Sequence, residues 1–150
     1  MPQSFSYLHA HIVFSTKRRQ PFLTPDLVER LYPYLGGLAR NRKCKLVRIG
    51  GVEDHVHMLV ELARDIAISE FVGAIKSNSS KWIHDEFPER QSFAWQQGYA
   101  SFAVSLSVLE PVAKYIETQF EHHRKKSFQE EFREFLGVHG IEFDEKYMWD

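Results

Sequence analysis

The sequence predicts an α+β fold, an antiparallel sheet with helices packed on one face. Short β-branched and aromatic runs alternate with longer stretches of helical periodicity. Two strand-like runs, 43–49 and 55–62, are separated by a few residues that include Gly50 and Gly51, which favours an antiparallel hairpin. The order of elements is strand, helix, strand, strand, helix, strand, helix, helix. At 150 residues the chain holds one ordinary core rather than two, so 1–150 is expected to be a single domain.

Residues 5–14 carry the aromatic and β-branched side chains of a first strand. Thr24-Pro25-Asp26 reads as an N-cap followed by proline at the first helical position. Leu27, Leu31, Leu35 and Leu38 continue that helix at helical spacing, with Pro33 and Gly36-Gly37 expected to kink or weaken it. A second strand fits 43–49, a turn is expected at Gly50-Gly51, and a third strand runs from His55 to about Leu62. Ile68, Phe71, Val72, Ile75, Trp82, Ile83 and Phe87 mark a second helix. Residues 93–104 read as one or two strands interrupted at Gly98. Ser107 and Glu110 have capping-box spacing, which opens a third helix through about His123 with Pro111 in its first turn. A second such pair, Ser127 and Glu130, starts a short last helix ending near Gly137. Hairpin-linked strands in this order lie close to the ferredoxin-like arrangement.

No apolar stretch approaches the ~20 residues that span a bilayer, and the polar N-terminus lacks a signal-peptide core. A single cysteine, Cys44, excludes an intrachain disulfide, and a cytoplasmic protein with no membrane partner is expected. The net charge of −1 decides nothing about an anionic partner, but its distribution does. Basic residues cluster at Lys17-Arg18-Arg19, between Arg40 and Arg48, and at His122-His123-Arg124-Lys125-Lys126. These clusters are either a phosphate-binding face or ordinary solvated loops and helix ends. Lys17, Arg18, Arg19, Arg124 and Lys125 are the candidate phosphate contacts of such a face.

The segment Asp54-His55-Val56-His57-Met58-Leu59-Val60 carries the clearest chemical signal. Side chains alternate on a strand, so His55 and His57 share a face with Cα atoms about 6.5–7 Å apart. Two imidazoles at that spacing can converge on one divalent ion, while Val56, Met58 and Val60 face a core. Two ligands do not close a metal site. The third helix offers Tyr115 and Gln119, four residues apart and one helical turn from each other. An amide oxygen suits a hard cation, and a phenol can act as a nucleophile. Tyr7, Tyr32, Tyr34 and Tyr99 lack such a partner one turn on.

Asp54 either orients an imidazole or closes a turn. His9 and His11 share a strand face, so either can approach the histidine pair if the first and third strands are neighbours. Glu61 reads as peripheral. His122 and His123 read as helix-end cations. Trp82, Trp95 and Phe102 read as core rather than base-stacking platforms.

His55-Val56-His57 resembles the His-hydrophobic-His motif of the HUH endonuclease superfamily. With a lone tyrosine and a glutamine four residues later, it resembles the single-tyrosine transposases of the IS-200/605 group of insertion sequences. The likeness extends to 11–17, to 76–82 and to 95–99, and so covers nearly the whole chain. The resemblance implies the RRM-like HUH fold. It also implies Mg²⁺ or Mn²⁺ held by His55, His57 and Gln119, and Tyr115 as the nucleophile. Single-stranded DNA with hairpin ends would be cut and rejoined through a 5′-phosphotyrosine. It further implies a homodimer in which Tyr115 acts in cis or in trans. The competing functions are a domesticated hairpin-binding protein, a site-specific nicking endonuclease and a small metal-dependent phosphoesterase.

Overall fold

Four strands form one antiparallel sheet in the computed structural model, which describes residues 3–119, 127–138 and 140–141. In chain order the elements are β1 (Leu8–Ser15), α1 (Pro25–Asn41), β2 (Lys45–Val52), β3 (His55–Leu62), α2 (Ile68–Glu86), β4 (Ala100–Val104), α3 (Leu109–Glu117) and α4 (Phe128–Val138). The strands lie in the order β2-β3-β1-β4, so β1 and β3 are the central pair. This is the α+β class and the βαββαβ order that the sequence predicts.

Register separates the sheet into two chemically different faces. Val13 stands opposite His57, and Ser15 opposite His55. Alternation then puts His9, His11, Val13 and Ser15 on the same face as His55, His57 and Leu59. The other face carries Ala10, Ile12, Phe14, Val56, Met58 and Val60, all buried. The two long helices cover it. From α1 come Leu27, Leu31, Leu35 and Leu38, and from α2 come Phe71, Val72, Ile75 and Ile83. Each such side chain contributes roughly 1.5–3 kcal/mol on burial, which makes this layer the main store of stability. Pro33 and the glycine pair do not interrupt α1, which runs unbroken from Pro25 to Asn41.

The sequence predicts helices on one face; α1 and α2 share one, but the shorter α3 and α4 lie on the opposite, histidine-bearing face. Ala113 and Ile116 of α3 pack on Leu59 and Val104. Phe128, Phe132 and Leu136 of α4 pack on Val13, Ala100 and Phe102. Both faces of the central strands are apolar enough to need a cover, and the tail supplies the second one.

Three boundaries differ from expectation for local reasons. The β2–β3 hairpin turns at Glu53-Asp54, and Gly50 and Gly51 lie inside β2, opposite His57 and Val56. Gly50 is there because α3 crosses directly over it: a Cβ would stand 2.0 Å from the Ile116 carbonyl oxygen. At α3, Ser107 does not cap. Its hydroxyl meets Ser105 Oγ at 3.0 Å, and the helix begins after a 3₁₀ turn at Leu106–Val108. The same helix stops at Glu117 rather than near His123, with the Thr118 amide donating back to the carbonyls of Lys114 and Tyr115. Residues 120–126, which include His122, His123, Arg124 and Lys125, lie outside the described residues. Ser127 caps the last helix as read, with the Glu130 amide donating to Ser127 Oγ at 3.2 Å.

The segment between α2 and β4 is pinned by side chains from α2. Trp95 is buried and donates its indole N–H to Ser79 Oγ at 2.9 Å. Lys76 Nζ donates to the carbonyls of Gln96, Gln97 and Gly98 at 2.8, 3.3 and 2.6 Å. Gln96 then bonds Ser15 twice, through its amide N–H to the Ser15 carbonyl and through Oε1 to the Ser15 amide. The end of β1 beside His55 is thus tied to α2.

Two predictions follow from this packing. Gly50→Ala should cost about 1–3 kcal/mol by overpacking under α3. Gly73→Ala, at an α2 position with nothing within 4 Å of the new methyl, should be neutral or stabilising. Urea denaturation of both variants checks the contrast. Burial also lowers the Lys76 pKa to about 8. The unfolded chain therefore binds this proton more tightly than the folded one between about 8 and 10.5, and folding gains stability as pH rises through that window. Native protein should gain relative to Lys76→Met between pH 7 and 10, measured by paired urea melts.

Candidate active site

The polar face of the sheet becomes a site where β1, β3, α3 and α4 meet. His55 and His57 are both 0% exposed, Gln119 1% and Glu131 4%. Burying so many polar groups is tolerated only when they satisfy one another, and here they do.

Each imidazole is held from behind. His55 Nδ1 lies 2.7 Å from Asp54 Oδ1, so Asp54 orients the ring. Asp54 also stands in the hairpin turn, so the carboxylate and the ring it holds are fixed by one tight connection. His57 Nδ1 lies 2.7 Å from His11 Nε2, as the adjacency of β1 and β3 allows. His9 takes no such part, and pairs with Glu61 at 3.8 Å. Both imidazoles therefore turn Nε2 toward one point.

Around that point stand three further groups. Gln119 Oε1 is 3.3 Å from His55 Nε2. Glu131 Oε1 is 2.9 Å from His57 Nε2 and 3.9 Å from His55 Nε2. The Tyr115 hydroxyl donates a very short hydrogen bond to Glu131 Oε2, and Gln119 Nε2 donates to the same oxygen at 3.5 Å. Tyr115 and Gln119 reach one point although the helix breaks at Thr118 between them. Burial and then the Glu131 hydrogen bond push the Tyr115 phenol far above its ordinary value, so it is firmly protonated in this arrangement.

Aromatic rings close the space. Phe128 stacks on His55 with centroids 4.3 Å apart, and Phe135 meets His11 edge-on at 5.2 Å and Tyr115 at 5.9 Å. Phe102, read as core, is buried and stacks on Phe135 at 5.3 Å.

The donor set fits a divalent cation. His55, His57 and Glu131 each offer a ligand atom within 4.8 Å of the others, all buried. Two imidazoles and a carboxylate suit a first-row divalent ion, and imidazoles engaged through their second nitrogen are typical of metal-bound histidines. Glu131 is the residue that reading the sequence missed. It lies four positions past the capping serine on an amphipathic helix, where a glutamate ordinarily faces solvent. No spacing rule links it to residues 74 positions back.

Of the candidate DNA contacts, Lys17, Arg18 and Arg19 form a 3₁₀ turn directly after β1. Arg18 and Arg19 have φ of 54° and 55°, a left-handed backbone that non-glycine residues adopt at a cost. Lys17 and Arg18 line an open cleft of about 380 Å³ with Gln20, Phe22 and Ser92. The preceding Thr16 takes a hydrogen bond from its own amide to the Asp54 carbonyl, which places the turn near the histidine pair. Among the described residues no helix is long and apolar enough to cross a membrane.

Known proteins resemble this chain in sequence and fold. The family model described as "Transposase IS200 like" matches residues 4–119. The ISDra2 transposase TnpA of Deinococcus radiodurans is 25% identical over 119 residues, covering 76% of this chain and 85% of that protein. The transposase for insertion sequence element IS200 of Salmonella typhimurium is also 25% identical, over 76% of this chain and 78% of its own. A crystal structure of a Deinococcus radiodurans transposase superposes with a TM-score of 0.65 at 25% identity, over 79% of this chain and 98% of that one. A REP-associated tyrosine transposase bound to a REP hairpin shares the fold, with a TM-score of 0.61 at 16% identity over 82% and 74% of the two chains. From the sheet through Gln119, this chain belongs to the IS200-like transposase family.

Proposed function

We propose that the protein is a metal-dependent transposase that cleaves and rejoins single-stranded DNA at insertion-sequence ends, with Tyr115 as nucleophile and hairpins as the recognised ends. One observation carries the reading. The Tyr115 hydroxyl and the Nε2 atoms of His55 and His57 face the same buried point, with Gln119 beside them. Relatives that are transposases, and a fold-mate bound to a DNA hairpin, support it.

His55 and His57, with Gln119, would hold Mg²⁺ or Mn²⁺. Such an ion, when bound, polarises the scissile phosphate and stabilises the charge that grows on it. Tyr115 does the covalent work. Its Oη forms a bond to phosphorus, the P–O3′ bond breaks, the phenol proton is lost and the departing 3′ oxygen gains one. The 5′-phosphotyrosine that results is a phosphodiester of similar energy to the one cleaved, so a second 3′-OH can reverse the exchange without ATP. Asp54 and His11 keep the imidazoles aimed throughout. Aromatic walls from Phe128 and Phe135 limit water, the rival acceptor.

Lys17, Arg18 and Arg19 are assigned to DNA phosphates, and the open cleft beside them gives the strand a place to lie. Arg124 and Lys125 are proposed for the same role. A homodimer completes the proposal, with Tyr115 acting in its own or its partner's site.

Incubation with hairpin-bearing single-stranded DNA and Mn²⁺ should give a covalent protein–DNA adduct on a denaturing gel, and Tyr115→Phe should abolish it. His57→Ala should lower cleavage about 100-fold or more while hairpin binding, measured by gel shift, changes little. Tight hairpin binding with no adduct from the native protein would identify a binding-only protein. Hydrolysis that survives Tyr115→Phe would exclude the tyrosine mechanism.

A further inference from the structure

Glu131 stands at a position that serves two groups at once. One carboxylate oxygen faces His57 Nε2 at 2.9 Å, and the other accepts the Tyr115 hydroxyl. The carboxylate is 4% exposed, and His55, His57 and Glu131 all bring a ligand atom within 4.8 Å of one another. Gln119 approaches the same place as a neutral amide, whose Oε1 meets His55 while its Nε2 points at Glu131.

From this arrangement we propose that Glu131 bridges the metal and the nucleophile: one oxygen joins His55, His57 and Gln119 around the metal, and the other positions the Tyr115 hydroxyl. The proposal rests on the metal reading of the histidine pair and adds a coupling to it. Two neutral imidazoles and an amide leave the double charge of a buried cation uncompensated, and Glu131 is the carboxylate within reach of both rings. A cation drawn to Oε1 changes the field on Oε2, and with it the hold on Tyr115. Linkage makes the effect reciprocal: whatever alters the Tyr115–Glu131 contact must alter metal affinity. Glu131 is then a positioning residue for Tyr115 as well as a ligand, and α4 becomes part of the site rather than a cover over it.

Two measurements on the full chain test this without using activity. Calorimetric titration with Mn²⁺ reads the ligand half. Glu131→Gln, an isosteric change, should weaken binding about 10-fold or more. Fluorine NMR of protein labelled with 3-fluorotyrosine reads the coupling, with the Tyr115 resonance assigned by its absence in Tyr115→Phe. Mg²⁺ should move that resonance in the native protein and leave it in place in Glu131→Gln. Tyr115→Phe, which changes no packing volume and should fold normally, should shift the Mn²⁺ Kd about threefold or more. An unchanged Kd in both Glu131→Gln and Tyr115→Phe would overturn the bridge, as would an equal Mg²⁺-induced shift in native and Glu131→Gln protein. His57→Ala separates this from failure of the underlying reading: Mn²⁺ binding that survives His57→Ala means that the metal does not sit on the histidine pair at all.

Discussion

A carboxylate buried against two imidazoles is the constraint on which the rest of this structure depends. Glu131 is 4% exposed, and a charge in such a place is costly unless neighbours solvate it. His57 does so from β3, and Tyr115 and Gln119 from α3 and the residues just after it. The sheet, the helix carrying Tyr115 and the last helix must therefore arrive together. Removing one partner would leave the others with unsatisfied polar atoms, so the site is cooperative in stability as well as in geometry.

That cooperativity rests on an asymmetric sheet. One face of β1 and β3 is apolar and packed by α1 and α2, which supplies stability without chemistry. The other carries four histidines on alternate positions of the same two strands, and gains its apolar packing from Val13, Leu59 and Phe102 around them. A rigid, well-packed scaffold below and a polar constellation above is the arrangement that holds reacting groups in place. Gly50 shows how tight the fit is. The Tyr115-bearing helix rests against bare backbone there, and its height above the sheet is set by the absence of a side chain.

The arrangement also bears on transposition chemistry. Burial and the Glu131 hydrogen bond raise the pKa of the Tyr115 phenol, so the nucleophilic role proposed for it requires that contact to change. The strained basic turn after β1 lies just beyond the Asp54 hairpin, so this turn and the histidine pair sit at adjoining ends of the two central strands.

Local signals in the chain determined the elements, because strand alternation, leucine spacing and the Ser127 cap depend only on near neighbours. The same locality made His55 and His57 legible, since two residues one apart on a strand must share a face. His9 and His11 could be placed only conditionally, as their roles turned on which strands lie side by side. The pairing of β1 with β3 decided it, giving His11 to His57 and leaving His9 with Glu61. Gly50-Gly51 was misplaced as a turn because glycine marks both turns and close backbone approaches, and only the crossing of α3 distinguishes them. Glu131 was beyond reach altogether. Its sequence surroundings are those of any helix-surface glutamate, and its burial follows from α4 docking by Phe128, Phe132 and Leu136 on the histidine face, a long-range packing event that no local pattern encodes.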